Sequence, residues 1–236
     1  MNLLTLKSHQ ISGNEATVTG RQLEHLLTIN KVSEGSLVVV GELNGLMGTG
    51  IIRQIDNKGA LLELELDTQP PPPLPLTLVL ALPRPKMLRR TLQSITAMGV
   101  KTLYLINSAR VEKSFWQSPL LSESALEKEL VLGLEQSRDT LLPAVHLRKL
   151  FKPFVEDELG GIIADSCALV AHPTGAAPCP IAIEKPTTLI VGPEGGFIPY
   201  EIEKLSEAGA DAVTIGKRIL RVETAVPALI SRLFPT

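Results

Sequence analysis

The sequence predicts an α/β protein, with a mainly parallel sheet covered by helices and a small β-rich module in front of it. Three observations carry this reading. After residue 76 strand and helix signals alternate, as the crossovers of a parallel sheet require. Before residue 70 the signals are short strands and glycine turns. Between the two stands Gln69-Pro70-Pro71-Pro72-Pro73-Leu74-Pro75, whose four consecutive prolines remove backbone donors and favour polyproline II. Residues 70–76 therefore read as a stiff linker. It divides the 236 residues into parts 1–69 and 77–236, a length that accommodates two domains.

The first part reads mostly as β. Leu62, Leu64 and Leu66 alternate with Glu63, Glu65 and Asp67, the period of a strand with one buried face. Leu37–Val40 and Ile51–Ile55 are further strand candidates, with Gly41, Gly45, Gly48 and Gly50 between them as turns and bulges. Arg21–Ile29 fits one short helix with Leu23, Leu26 and Leu27 on a common face. Together these make a small barrel-like module.

In the second part Leu76–Leu82 reads as a strand and Met87–Met98 as a helix ended by Gly99, which suits a left-handed cap. Thr102–Ile106 is the next strand, and Ser124-x-x-Glu127 reads as a capping box opening a helix toward Ser137. Val145–Leu147, Ala168–Ala171, Leu189–Val191 and Val213–Ile215 are short strands. Helices at Tyr200–Ala208 and Thr224–Leu233 complete the set.

Composition narrows the function. Hydrophobic residues make up 44% and charged residues 20%, the balance of a folded globular chain. Apolar runs such as Leu78–Leu82 fall far short of the ~20 residues of a membrane span. The first residues carry no basic region and no apolar run of signal-peptide length. Cys167 and Cys179 are the two cysteines, too few for a disulfide framework or a zinc site. The expectation is a cytoplasmic protein with no metal and no membrane partner. Aromatics are 3% of the chain, too sparse for a sheet-wide base-stacking platform. The net charge of −2 hides a pattern, with −3 over residues 1–76, +6 over 77–152 and −5 over 153–236. A basic middle between acidic ends suggests a polyanion held on one face; a solvated helix face is the plainer alternative. Four of its cations, Arg84, Lys86, Arg89 and Arg90, crowd the start of the first helix after the linker. Positive charge there opposes the helix dipole, and phosphate binding explains why it is kept.

The richest stretch is Thr188-Leu189-Ile190-Val191-Gly192-Pro193-Glu194-Gly195-Gly196-Phe197-Ile198-Pro199. An apolar strand runs into a glycine turn, and Pro199 then opens a helix where its missing N–H costs least. In an open α/β sheet, ligands bind outside the carboxyl ends of the strands, where this turn lies. The turn matches neither the dinucleotide fingerprint nor the P-loop, so dehydrogenase and nucleotide-hydrolase readings fail. A second stretch, Val213-Thr214-Ile215-Gly216-Lys217-Arg218-Ile219-Leu220-Arg221-Val222-Glu223-Thr224-Ala225, is a strand, a basic turn and a helix start.

These two stretches closely resemble the C-terminal signatures of the RsmE family, the 16S ribosomal RNA uridine N3-methyltransferases of the SPOUT superfamily. "LEQSRDTLLP" at 134–143 and "LVAHP" at 169–173 are similar to further family stretches, as is "GRQLEHLL" near the N-terminus. The segment "NSARVEKSFW" at 107–116 replaces the family's Ser-Glu-Arg-Ser, and the basic Arg84–Arg90 run replaces an acidic helix start.

The resemblance implies a trefoil-knotted SPOUT domain behind a PUA-like RNA-binding barrel, and a homodimer. It implies S-adenosylmethionine (SAM) as cofactor, bound by three loops. Leu169, Ala171 and His172 supply the first. Gly192, Pro193, Glu194, Gly195 and Gly196 form the second. Ile215, Gly216, Ile219, Leu220 and Thr224 belong to the third. The implied partner is ribosomal RNA or the small ribosomal subunit, touched by Arg84, Lys86, Arg89 and Arg90. Uridine N3 must lose a proton before it is methylated, so an anion stabiliser or a base is needed. Arg218, Arg221 and Glu223 are the catalytic candidates. Both arginines suit an oxyanion or a phosphate. Glu223 acts as base or orients an arginine, and a carboxylate beside two arginines is a weak base. Trp116 stacks a base or anchors its turn. The alternatives are a SPOUT methyltransferase for another ribosomal or transfer RNA position, and a non-catalytic RNA-binding assembly factor.

Overall fold

The computed structural model describes residues 2–173 and 176–235. The chain forms two compact units, one of residues 1–72 with 130–142 and the other of 73–129 with 143–236. The division departs from a single cut at the proline run in two ways. Leu74 donates its N–H to the Gly99 carbonyl at 3.0 Å, so the end of the run already belongs to the second unit. Residues 130–142, far down the sequence, belong to the first.

The first unit contains β1 (Leu4–Leu6), β2 (Ile11–Ser12), β3 (Glu15–Val18), α1 (Gly20–His25), β4 (Leu37–Glu42), β5 (Met47–Ile55) and β6 (Ala60–Thr68). They form one six-stranded sheet in the order β1-β4-β5-β6-β3-β2. Only the β1–β4 pairing is parallel. Its core gathers Leu4, Leu6, Val18, Leu23, Leu26, Val40, Ile52 and Leu62, so the alternation around Leu62 and Leu64 does mark a buried face. The expected helix Arg21–Ile29 is present but changes winding after His25. Leu26–Asn30 is a π-helical turn, and its wider winding leaves Leu27 38% exposed rather than on the face of Leu23.

The second unit holds β7 (Leu76–Ala81), α2 (Pro85–Ala97) and β8 (Thr102–Ile106). α3 (Glu123–Ser137) is shared between the units, and β9 (Ala144–Arg148) follows it. A helical stretch comes next, α4 (Phe151–Pro153), a π-helical segment (Phe154–Leu159) and α5 (Gly160–Ile163). Then come β10 (Cys167–Ala171), β11 (Ala177–Pro178), β12 (Thr187–Val191), α6 (Pro199–Glu207), β13 (Asp211–Thr214) and α7 (Val222–Leu233). The strands make one seven-stranded sheet in the order β11-β13-β10-β12-β7-β8-β9, every pair parallel. Its central strands are buried on both faces, as Leu78, Val79 and Leu80 show with no exposure. This is why they read as apolar runs rather than alternations.

Two local expectations change. α3 begins before Ser124, because Ala125 and Leu126 donate to the Ser122 carbonyl at 3.1 and 3.0 Å. Ser124 is thus inside the helix and caps nothing. The sequence reading assigns no element to 151–163, which is helical although it contains Pro153, Gly160 and Gly161. Pro153 falls in the first turn, where its missing N–H costs little.

Candidate functional site

β13, β10 and β12 are neighbours in the second sheet, so the segments leaving their carboxyl ends meet at one edge. They enclose a cleft of about 240 Å³, floored by α7. Three segments and a helix face line it: Ala171–Pro173, Val191–Phe197, the run from Val213 to Leu220 apart from Lys217, and Val222, Ala225 and Leu229. Both glycine-containing stretches singled out in the sequence therefore share one site.

The 192–197 turn is shaped by close approach. A Cβ on Gly192 would lie 3.1 Å from the backbone nitrogen and the ring of Phe197, so the chain folds back on a residue without a side chain. Gly196 has φ +70°, a conformation that side chains disfavour. Its N–H donates to the Pro193 carbonyl at 2.7 Å. Phe197, 4% exposed, plugs the turn from below and lies 6.3 Å from the Phe151 ring. Glu194 is anchored at its oxygen Oε1, which accepts the Arg84 N–H at 3.1 Å. After the turn, at the start of α6, Glu201 is 2% exposed. Its carboxylate accepts the Ile198 N–H at 3.0 Å and the Ala109 N–H at 2.7 Å.

On the other wall, the His172 N–H donates to the Val213 carbonyl at 2.9 Å. Thr214 and Gly216 close the 214–216 turn through the Thr214 hydroxyl. Arg221 caps α7, accepting the N–H groups of Thr224 and Ala225 at 2.9 and 2.7 Å through its carbonyl. Pro227 lies inside α7 and deprives the Glu223 carbonyl of its i+4 donor.

The cleft thus contains Ala171, His172, Gly192, Pro193, Glu194, Gly195, Gly196, Ile215, Gly216, Ile219 and Leu220 of the expected cofactor residues. Leu169 lies outside the lining as a buried residue inside β10, and Thr224 is exposed on α7. Of the catalytic candidates, Arg218 lines the cleft, whereas Arg221 and Glu223 do not. Among the described residues no ion pair joins Glu223 to Arg218 or Arg221. Trp116 anchors its own turn, donating its indole N–H to Asn107 Oδ1 at 3.0 Å.

The four cations of the basic run sit at the start of α2, all exposed, with Arg84 as N-cap and Pro85 in the first turn. Lys86 and Arg90, one turn apart, share a face. Arg89 is different in kind, because its Nε lies 3.1 Å from buried Glu129, which also accepts from Gln93 at 2.6 Å. α2 packs against α7.

Sequence reasoning left out Pro173, Val191, Phe197, Val213 and Thr214, which flank the expected positions of the three segments, and two further sets of residues. Val222, Ala225 and Leu229 follow helical spacing along α7, a signal that was available. Arg110, whose Nη1 donates to the Gly195 carbonyl, lies inside the quoted 107–116 segment, but no local pattern signals that it reaches a glycine 85 positions away. Among the described residues no three His, Cys, Asp or Glu cluster as metal ligands, and no helix is long and apolar enough to cross a membrane.

Compared with known proteins, the chain is 27% identical over 232 residues to a ribosomal RNA small subunit methyltransferase E of Treponema pallidum, covering 95% of this chain and 87% of that one. It is likewise 27% identical over 220 residues to the Mycobacterium bovis protein of that name, covering 91% and 84%. In fold it is similar to a ribosomal RNA small subunit methyltransferase E from Neisseria gonorrhoeae, solved bound to S-adenosyl methionine. The TM-score is 0.76 at 22% identity, over 98% of this chain and 95% of that one. A Legionella pneumophila methyltransferase solved with SAM aligns at TM-score 0.75 and 18% identity, over 98% and 95%. The family model for the RNA methyltransferase domain matches residues 70–234, the linker and nearly all that follows it, and the chain belongs to this family.

Proposed function

We propose that this chain is a SAM-dependent methyltransferase of small-subunit ribosomal RNA, acting on N3 of a uridine. One observation carries the reading: the two quoted motifs and the 171–173 segment line a single cleft at the carboxyl ends of adjacent parallel strands. The names borne by the full-length relatives support the substrate class.

The cleft suits the cofactor chemically. Val191, Ile215 and Leu220 offer apolar surface, and the glycine turns expose backbone groups to a ligand's polar edge. When bound, SAM supplies an electrophilic methyl group. The protein's tasks are then alignment, worth about 7–11 kcal/mol in well-oriented systems, and control of charge on the uracil ring. Arg218, in the lining, is placed to stabilise the anion formed as N3 gives up its proton to solvent water, with S-adenosylhomocysteine as the leaving group once the methyl is transferred. Arg221 and Glu223, at the start of α7, act from the rim, with Glu223 orienting rather than abstracting. Leu169 and Thr224 support the two walls from outside the cleft. Exposed Arg84, Lys86 and Arg90, with Arg89, receive RNA phosphates.

The same reading extends to assembly. The first unit is a PUA-like RNA-binding module, residues 77–236 carry the trefoil knot, and the chain works in the cytoplasm as a homodimer. Ile219 in the cleft lining at 84% exposure, with Ile181 at 65% and Tyr200 at 45% elsewhere on the second unit, supports a dimer, since exposed apolar groups seek cover. The deciding experiment is nucleoside mass spectrometry of ribosomal RNA from cells with and without this chain. Loss of one N3-methyluridine, restored by the purified protein and SAM, is expected. An unchanged modification profile would sink the proposal.

A further inference from the structure

We infer that Arg110 is a positioning residue for the 192–197 turn, holding it in the shape the cofactor cleft requires; this rests on the methyltransferase reading above. Arg110 Nη1 donates to the Gly195 carbonyl. The N–H at the other end of that same peptide, Gly196, donates to the Pro193 carbonyl at 2.7 Å. Both polar ends of the 195–196 peptide are therefore held, and its plane is fixed. That plane sets the positive φ of Gly196, the least favourable backbone state in the turn.

The stem of Arg110 also lies on the turn. A Cβ on Gly195 would stand 3.0 Å from Arg110 Cδ and 3.4 Å from its Cβ. The segment that carries Arg110 is itself fixed to the same loop. Glu201 joins the Ala109 N–H to the Ile198 N–H through its two carboxylate oxygens, one residue before Arg110 and one residue after Phe197. Asn107 accepts from Trp116 at 3.0 Å and closes the base of the segment. Among the described residues Arg110 has no carboxylate partner, and it is exposed. Its side chain is committed to the turn rather than to the core or to a surface ion pair.

The test uses the full chain as wild type, Arg110→Ala and Arg110→Lys. Binding of S-adenosylhomocysteine is measured by calorimetry, and the thermal midpoint is recorded for each. Arg110→Ala is expected to weaken binding about five- to tenfold, the worth of one hydrogen bond, with the midpoint within ~2 °C of wild type. Arg110→Lys should recover most of the affinity, because one ammonium N–H suffices for one carbonyl. In turnover, Arg110→Ala should raise the KM for SAM and leave kcat unchanged. Wild-type affinity in Arg110→Ala overturns the inference, as does a loss that tracks a falling midpoint and that lysine does not repair. A wild-type protein that binds no S-adenosylhomocysteine instead removes the methyltransferase reading on which the inference rests.

Discussion

Arg21 Nη2 donates to both carboxylate oxygens of Glu135, at 2.8 and 3.0 Å, although the two residues are 114 apart in sequence. The Glu135 side chain is 3% exposed and that of Arg21 46%. The Glu135 carbonyl also accepts the N–H groups of Asn2 and Leu3 at 3.0 Å each. One residue thus fixes both β1 and α1 to the 130–142 segment. Arg21→Ala leaves a buried carboxylate without its charge partner, a change expected to cost about 1–3 kcal/mol, the half-exposed arginine keeping it modest. Hydrogen exchange should show lost protection across the first sheet and none across the second. Equal loss in both sheets would contradict the assignment of 130–142 to the first unit.

The same pair sits beside His25. Burial holds the His25 imidazole below its usual value of 6.5, with Arg21 adding to the effect and Glu135 opposing it. A depressed folded pKa means the unfolded chain binds the proton first, so stability rises with pH through the window just below 6.5. Wild type should lose stability on acidification from pH 7 to pH 5, and His25→Gln should flatten that slope. Urea unfolding at several pH values measures it; parallel slopes would dismiss the linkage.

What the sequence made legible follows from range. The central strands of the second sheet announce themselves because burial on both faces makes them largely apolar, as in Leu78–Ala81 of β7. Two cleft loops were legible because strand, glycine turn and helix start are contiguous in each. The π-helical turn at 26–30 was not, since its side chains satisfy an ordinary helical face as well. Membership of 130–142 in the first unit rests on contacts such as Arg21–Glu135, which no local pattern encodes. That Arg110 reaches the 192–197 turn was hidden for the same reason.

The turn offers a direct test of cofactor binding. The positive φ belongs to Gly196, not to Gly195, and a Cβ on Gly196 meets no protein atom within 4 Å. Its substitution therefore strains the backbone without crowding the protein, at a cost of about 1–3 kcal/mol. Gly196→Val is expected to weaken S-adenosylhomocysteine binding by tenfold or more while the second unit stays folded. Unimpaired binding by calorimetry would move the site elsewhere.

Salt dependence separates a phosphate grip from a solvated helix face. Arg89 neutralises Glu129, so its removal confounds RNA contact with stability, whereas Lys86 and Arg90 make no ion pair among the described residues. Lys86→Ala/Arg90→Ala should lower RNA affinity and flatten the log–log salt slope by ~0.7–0.9 per lost contact. Affinity for S-adenosylhomocysteine should not change. A double variant that binds RNA normally at every salt concentration would make the basic run a solvated surface.

The two arginines of the third loop should divide the labour. Arg218 lines the cleft and Arg221 stands outside it as the cap of α7. In the proposed reaction charge develops on the uracil ring as N3 loses its proton and attacks, so the guanidinium that lines the cleft matters most at that moment. Loss of one well-placed donor to a developing anion costs about 10²-fold in turnover. Arg218→Ala should therefore lower kcat by about that factor at saturating RNA and SAM. Arg221→Ala keeps its carbonyl, which accepts from Thr224 and Ala225, so α7 stays capped. Its loss should lower kcat/KM for RNA more than kcat, the mark of an interaction made equally in the ground state. Single-turnover assays with both variants measure the split. If Arg221→Ala proves the slower enzyme at saturation, the developing charge faces the helix cap, and Arg218 serves RNA binding.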